Sequence, residues 1–219
     1  TCQKTGTTIT FDPDPVVFKE IKYDSKRILE HLREQSYLTR GIKIIFKDER
    51  EKIPTSYAFY FEGGIISFVK FLVNDEHPIH DNIFYASKTI DNILVEAAFQ
   101  YTEDLQPEEL SFANNIHTGE GGMHLTGFRT ALTRTLNDYA RKNGYLKESE
   151  ENLTGDDVRE GLSLILSVKL SEPQFEGQTK ARLGNPEART AVETVIGETL
   201  SEWLEKNPVD ARKILGKTI

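Results

Sequence analysis

Lys180 lies in the stretch EGQTKARLGN, Glu176 to Asn185, where its type and its neighbours raise a chemical question. A glycine turn presents Gln178, Thr179 and Lys180 after a long apolar run and ahead of an Asn-Pro-Glu helix start. An ammonium beside an amide and a hydroxyl offers several donors from one turn, the equipment that phosphate oxygens require. The residues themselves leave two readings open: a solvated surface charge, or a cation aimed at an anion whose developing charge it stabilises. A second glycine-rich stretch, Gly119 to Gly122, precedes a helical pattern and is open to two readings as well. It is either an anion site at a helix N-terminus or a loop that simply needs tight turns.

Other familiar chemistries find no pattern. The five histidines, His31, His77, His80, His117 and His124, form no HExxH and no Cys/His cluster, so no zinc site is expected. Cys2 is the only cysteine, which forbids an intrachain disulfide and fits a reducing, cytoplasmic setting. Neither a nucleophile elbow, a Walker-type phosphate loop nor a GxGxxG fingerprint is present. The net charge of -8 argues against a general nucleic-acid grip, although a local basic patch remains compatible with it. No run of about 18 apolar residues exists, which argues against a membrane-spanning role. With 219 residues and 37% apolar content the chain can bury a sizeable core. Its abrupt start and its single Met at position 123 read as a piece of a longer polypeptide.

The elements that must position Lys180 follow from periodicity. Thr7 to Phe11 alternates up to an Asp-Pro-Asp-Pro breaker and predicts a strand. A helix follows, with Ser25 as N-cap and Ile28, Leu29, Leu32 and Leu38 on one face. Ile42–Phe46 and Tyr57–Phe61 alternate as a hairpin, and a short helix covers Ile65 to Leu72. The stretches NILVEAAFQY and EELSFANNI predict two strands paired with each other. A long helix runs from about His124 to Lys142 with Gly144 at its C-terminal end, and Thr154 caps a short helical turn. LSLILSVKL, Leu162 to Leu170, predicts a strand covered on both faces. Asn185, Pro186 and Glu187 start a helix to about Lys206, and a last helix begins near Pro208. A boundary falls near Glu62 to Gly64, dividing the chain into residues 1–63 and 64–219.

With these residues in view, EGQTKARLGN and the preceding LTGDDVREGLSLILSVKLSEPQF resemble the transducer region of bacterial type IIA topoisomerase B subunits. NNIHTGEGGMHLTGFRTALTRTLNDYARKNG and HPIHDNIFY resemble two further blocks of that family, and KTGTTITFDPD resembles the last motif of its ATPase domain. The blocks span essentially the whole chain in order and are closer to the gyrase branch than to topoisomerase IV. Met123 departs from the pattern, because the family usually carries Thr there.

The resemblance implies an α/β fold: the C-terminal part of a Bergerat (GHKL-type) ATPase sandwich, then a two-layer transducer with the ribosomal-protein domain 2-like fold. It implies ATP with Mg2+ as cofactor, the magnesium ligands lying outside this stretch. Gln178 and Lys180 would meet the γ-phosphate, with Lys180 in the catalytic role, and Thr179 would belong to the ATP-binding loop by shaping it. Thr5, Gly6 and Thr7 would line the adenine pocket, and Ile9 the apolar wall that coumarin-type inhibitors use. Arg129 would face a DNA segment in the cavity of a B-subunit homodimer, whose partner is the gyrase A subunit. The chain by itself is expected neither to hydrolyse ATP nor to bind it tightly. Two rivals accompany this reading: the topoisomerase IV B subunit, and a non-enzymatic RNA-binding module on the same fold.

Overall fold

Strand β7 (Leu162–Lys169) organises the molecule, and its sequence explains why. Seven of its eight residues are buried, as an uninterrupted apolar run requires of a strand sandwiched between two layers. It is the centre of a five-stranded sheet ordered β3-β4-β7-β5-β6, with β3 Phe84–Ile90, β4 Ile93–Tyr101, β5 Glu108–Ala113 and β6 Ile116–His117. The computed structural model describes residues 6–219.

The expected pairing of NILVEAAFQY with EELSFANNI is corrected here. Strands β4 and β5 are not neighbours; β7 lies between them, antiparallel to β4 and parallel to β5. The strand latest in sequence therefore takes the most buried place, where both of its apolar faces find cover. The true partner of β4 is β3, a strand that periodicity did not predict, joined to it by a two-residue turn at Asp91 and Asn92 with φ of 49° and 63°. Asn114 and Asn115 make the same turn between β5 and β6, with identical φ values. Such left-handed pairs suit Asn and Asp and match the twist of the strands they join.

One face of the sheet carries Val95, Ala97, Phe99, Leu164, Leu166 and Val168 against helices α3 (Met123–Lys142) and α4 (Pro186–Lys206). These helices approach closely at Gly127, where an added Cβ would lie 2.6 Å from the Arg189 carbonyl oxygen. Helix α3 ends in a Schellman motif: Gly144 at φ 74° donates to the Arg141 carbonyl, and Tyr145 donates to that of Ala140. Thr154 and Asp157 cap the short helical turn Asp157–Arg159 reciprocally, each backbone N–H meeting the other's side chain. Helix α5 (Pro208–Thr218) closes this side.

The opposite face packs Ala98, Phe112 and Ile165 against helix α2 (Ile65–Leu72) and the end of helix α1 (Ser25–Leu38), through Phe68, Val69, Tyr37 and Leu38. Asp24, not Ser25, caps α1, accepting from the N–H groups of Lys26 and Arg27. Ser25 instead donates to Asp48 at the end of β1, which displaces the cap by one residue. Strands β1 (Ile44–Asp48) and β2 (Thr55–Phe59) form the expected antiparallel hairpin.

Thr7 to Phe11 does not form a strand. Gly6 to Asp24 carries no helix or strand, and Ile9 and Phe11 are 82% and 73% exposed. Alternation makes a strand only where a neighbour takes up its backbone N–H and C=O groups, and no described strand lies beside it. Among the described residues, no helix is long and apolar enough to cross a membrane.

Candidate functional site

The two glycine-rich stretches singled out in the sequence lie side by side. After β7 the chain runs out through Gln174, Phe175 and Glu176, turns, and returns through Ala181, Arg182 and Leu183. Glu176 donates to the Arg182 carbonyl at 3.1 Å and Gly184 to that of Gln174 at 2.7 Å. The turn is closed by Lys180 N–H donating to the Gly177 carbonyl at 3.0 Å. Lys180 itself holds a left-handed φ of 56°, a conformation that costs a non-glycine residue roughly 1 kcal/mol and persists only where surrounding structure enforces it.

That enforcement comes from the loop leading into α3. Its Glu120 N–H donates to the Ala181 carbonyl at 2.9 Å, Gly121 accepts from Leu183 N–H at 3.2 Å, and Met123 N–H donates to the Leu183 carbonyl at 2.8 Å. The returning arm is therefore the middle of a three-stranded ribbon. Gly122 has to be glycine, because its φ is 134° and a Cβ there would lie 2.3 Å from Leu183 O and 2.5 Å from Leu183 N. Two N–H groups of this loop, those of Glu120 and Met123, are spent on the hairpin, and that of Gly121 on the Thr118 carbonyl. Tight turns and close backbone approach account for the stretch. Met123 takes part through its backbone at the first position of α3.

Asn185 anchors the base of the hairpin. It precedes Pro186 at the start of α4 as expected, but its buried side chain faces backwards. Its Oδ1 accepts from Gln174 N–H at 2.6 Å, and its Nδ2 donates to the Glu172 carbonyl and to Glu187 Oε1. The Asn-Pro-Glu signal thus fixes a loop as well as a helix. The Asn185 amide, and then its own backbone N–H, hold the Glu187 carboxyl below its ordinary range.

Gln178, Thr179 and Lys180 are all exposed at the tip. The Lys180 ammonium stands 5.9 Å from the centre of the Phe175 ring, and among the described residues it enters no ion pair. The tip thus exposes three donor-bearing side chains in sequence on a fixed backbone, and the one charge among them, on Lys180, has no counter-ion among the described residues. An incoming anion with several oxygens matches that arrangement.

The remaining sequence candidates stand apart. Thr5 lies outside the described residues. Gly6, Thr7 and Ile9 are exposed, irregular in structure and share no hydrogen bond with the hairpin. Arg129 projects from α3 and grips Glu109 with both arms of its guanidinium, the Nε–Oε1 contact being 3.1 Å. Arg159 stands 3.7 Å from the same carboxylate. Arg129 and the hairpin's Arg182 line one cavity of about 310 Å³, together with Glu109, Glu120 and Thr126. Among the described residues, no group of three or more His, Cys, Asp or Glu side chains is placed to hold a metal ion.

Sequence reasoning missed Phe175 and Arg182, the aromatic platform and the cross-hairpin arm. Arg182 was legible only as a basic residue two positions from Lys180. Two buried histidines also went unassigned. His80 accepts from Tyr101 N–H at 2.9 Å through Nε2 and faces the Asn82 carbonyl through Nδ1. His124, in the first turn of α3, meets the Thr118 hydroxyl through Nε2 at 3.2 Å, and burial lowers its pKa to about 4.

Comparison with known proteins places the whole arrangement. A DNA gyrase B subunit of Clostridium acetobutylicum is 48% identical over 215 residues, covering 98% of this chain and 33% of that protein. One from Streptococcus pneumoniae is 46% identical over 217 residues, covering 99% and 34%. The chain therefore spans about one third of the length of these relatives. Among solved structures, the 43K ATPase domain of Thermus thermophilus gyrase B, in complex with an aminocoumarin, superposes with a TM-score of 0.83 at 41% identity, covering 95% of this chain and 56% of that one. The topoisomerase IV ATP-binding domain of Francisella tularensis does so at 0.79 and 26% identity, covering 94% and 55%. With the profile of the DNA gyrase B family matching residues 64–219, the chain belongs to that family of type IIA topoisomerase B subunits.

Proposed function

We propose that this chain is a stretch of the ATP-operated clamp of a DNA gyrase, in which Lys180 and Gln178 contact the γ-phosphate of ATP and Thr179 shapes their turn. The observation that carries this reading is the Lys180 hairpin. It offers an unpaired ammonium at a left-handed position, backed by a glycine-locked ribbon against α3. Held in this way, the ammonium stabilises charge on a phosphoryl group without reorganising during reaction.

Residues 1–63 are assigned to the end of the ATPase domain and 64–219 to the transducer. Thr5, Gly6 and Thr7 would meet the adenine, and Ile9 the apolar wall of its pocket. ATP fits the donors at the hairpin tip. Magnesium finds no cluster of acidic, His or Cys ligands among the described residues. When hydrolysis removes the γ-phosphate, the hairpin loses the anion that oriented it, and the ribbon carries its displacement into α3. Arg129 on that helix would then face a DNA segment, its charge partly spent on Glu109. The partners this assignment requires are DNA, the gyrase A subunit, plus a second B subunit.

The test is Lys180→Ala in the full-length protein. Loss of one preorganised donor lowers ATP turnover about 10²–10³-fold, with a smaller loss of nucleotide affinity, and abolishes supercoiling. Unchanged turnover and supercoiling overturn the assignment. Topoisomerase IV is the rival that the Francisella tularensis likeness favours, and decatenation in place of supercoiling by the reconstituted enzyme would select it.

A further inference from the structure

Lys180 closes its turn but does little to fix where that turn sits. Its backbone makes one bond within the turn, to Gly177, and its side chain rests on Phe175 at 5.9 Å. Beside the main-chain ribbon, one side chain two positions further along helps to locate the turn. Arg182 Nε donates to Glu176 Oε1 at 3.0 Å across the hairpin, and its Nη1 donates to the Glu120 carbonyl at 3.3 Å in the loop before α3. One guanidinium thus ties both hairpin arms to the third strand of the ribbon. Its planar guanidinium makes the two bonds from separate nitrogens at fixed angles, a geometry that the single nitrogen of an ammonium does not reproduce. Directly beneath, Gly122 lets the Leu183 backbone approach to a distance that leaves no room for a Cβ.

We propose that Arg182 and Gly122 are positioning residues for Lys180, making the hairpin and α3 one rigid piece. The proposal rests on the γ-phosphate reading and adds what that reading does not contain: which residues set the height and direction of the ammonium. Glu176 and Arg182 are each about half exposed, so their pair contributes little to overall stability. Its effect is geometric. A shift on the order of 1 Å in a charge-stabilising group costs up to about 10²-fold in rate, whereas binding through the rest of ATP is untouched.

The experiment is a set of variants of the full-length protein, read by ATP turnover at saturation and by equilibrium affinity for a non-hydrolysable ATP analogue. Arg182→Ala lowers kcat about tenfold and changes affinity less than about threefold; Arg182→Lys restores only part of the rate. Gly122→Ala lowers kcat about 10²-fold. If Gly122→Ala fails to fold, the Arg182 pair of variants still decides. In a Lys180→Ala background, Arg182→Ala has no further effect, because there is no ammonium left to position. An equal loss in both backgrounds shows a merely structural arginine and overturns the proposal, as does a kcat within twofold of the parent. If Lys180→Ala alone leaves turnover unchanged, the γ-phosphate reading falls and this proposal falls with it. A collapse for Lys180→Ala with no effect of Arg182→Ala sinks the positioning role alone.

Discussion

The five-stranded sheet and the hairpin β1–β2 are built from similar sequence, yet they end in opposite situations. In the sheet, β7 buries seven of eight residues and its apolar side chains meet helices on both faces. In the hairpin, four of the five β2 residues are exposed, and Ile45, Ile53 and Tyr57 remain 56%, 81% and 47% accessible. The irregular segment before α1 resembles the hairpin, with Val16 at 86%. Periodicity alone therefore does not predict burial. A pattern becomes a core only when a second surface lies against it, and within this chain the sheet has α2, α3 and α4 where one side of the hairpin has no such partner.

The sharpest way to break that contrast is to hollow out the sheet. Leu166 is fully buried at the middle of β7, between β4 and β5. Leu166→Ala removes its transfer energy and leaves a cavity between the sheet and helices α3 and α4, so chemical denaturation of the 219-residue chain should show a loss of about 2–5 kcal/mol. A loss below about 1 kcal/mol would mean that β7 is not the centre of the core.

Acid gives the next largest effect, and it again falls on the sheet region. His124 is buried with a folded-state pKa of about 4, lowered by burial, against about 6.5 for an exposed histidine. The unfolded chain therefore binds the proton more readily, and stability is complete above pH 6.5 and falls as pH drops towards 4. The shift sets a ceiling of roughly 3 kcal/mol on the loss. His80, lowered first by burial, adds in the same direction. Urea midpoints taken between pH 7 and 4 should decline in the parent and decline less in His124→Gln. Parallel curves for the two proteins would remove His124 as the cause.

Much of this fold was legible because its signals are local. The helix start at Asn185-Pro186, the glycine after α3 and the uninterrupted run of β7 each encode their outcome within a few residues. What escaped is what depends on distant partners. Nothing between Ile93 and Ala113 announces that a strand about 60 residues later will separate β4 from β5. Strand β3 carries the polar run Ser87-Lys88-Thr89 before its last residue, Ile90, and so lacks a clean pattern, although the Asp91-Asn92 turn was a usable hairpin signal. At the site, the residue types of Gln178, Thr179 and Lys180 were readable. Their support was not, because the ribbon from Glu120 to Met123 is made of main-chain bonds that carry no side-chain signature. The cap of α1 moved from Ser25 to Asp24 for the same reason, a tertiary bond to Asp48 having claimed the serine.

The smallest predicted effect is the most discriminating for the hairpin. Ile45 lies in β1 opposite Ala58, with more than half of its surface in water. Ile45→Thr keeps the β-branched side chain that favours a strand and removes only apolar surface that the fold does not bury. Stability of the 219-residue chain should therefore stay within about 0.5 kcal/mol of the parent, as for ordinary surface positions. The matching change at Ile165, buried on the α2 side of the sheet, puts an unpaired hydroxyl into the core and must cost several times more. Equal losses at the two positions would show that the exposed face of the hairpin is covered in solution. A loss at Ile45 that grows with protein concentration would identify the cover as a second copy of this chain, since only association links stability to concentration.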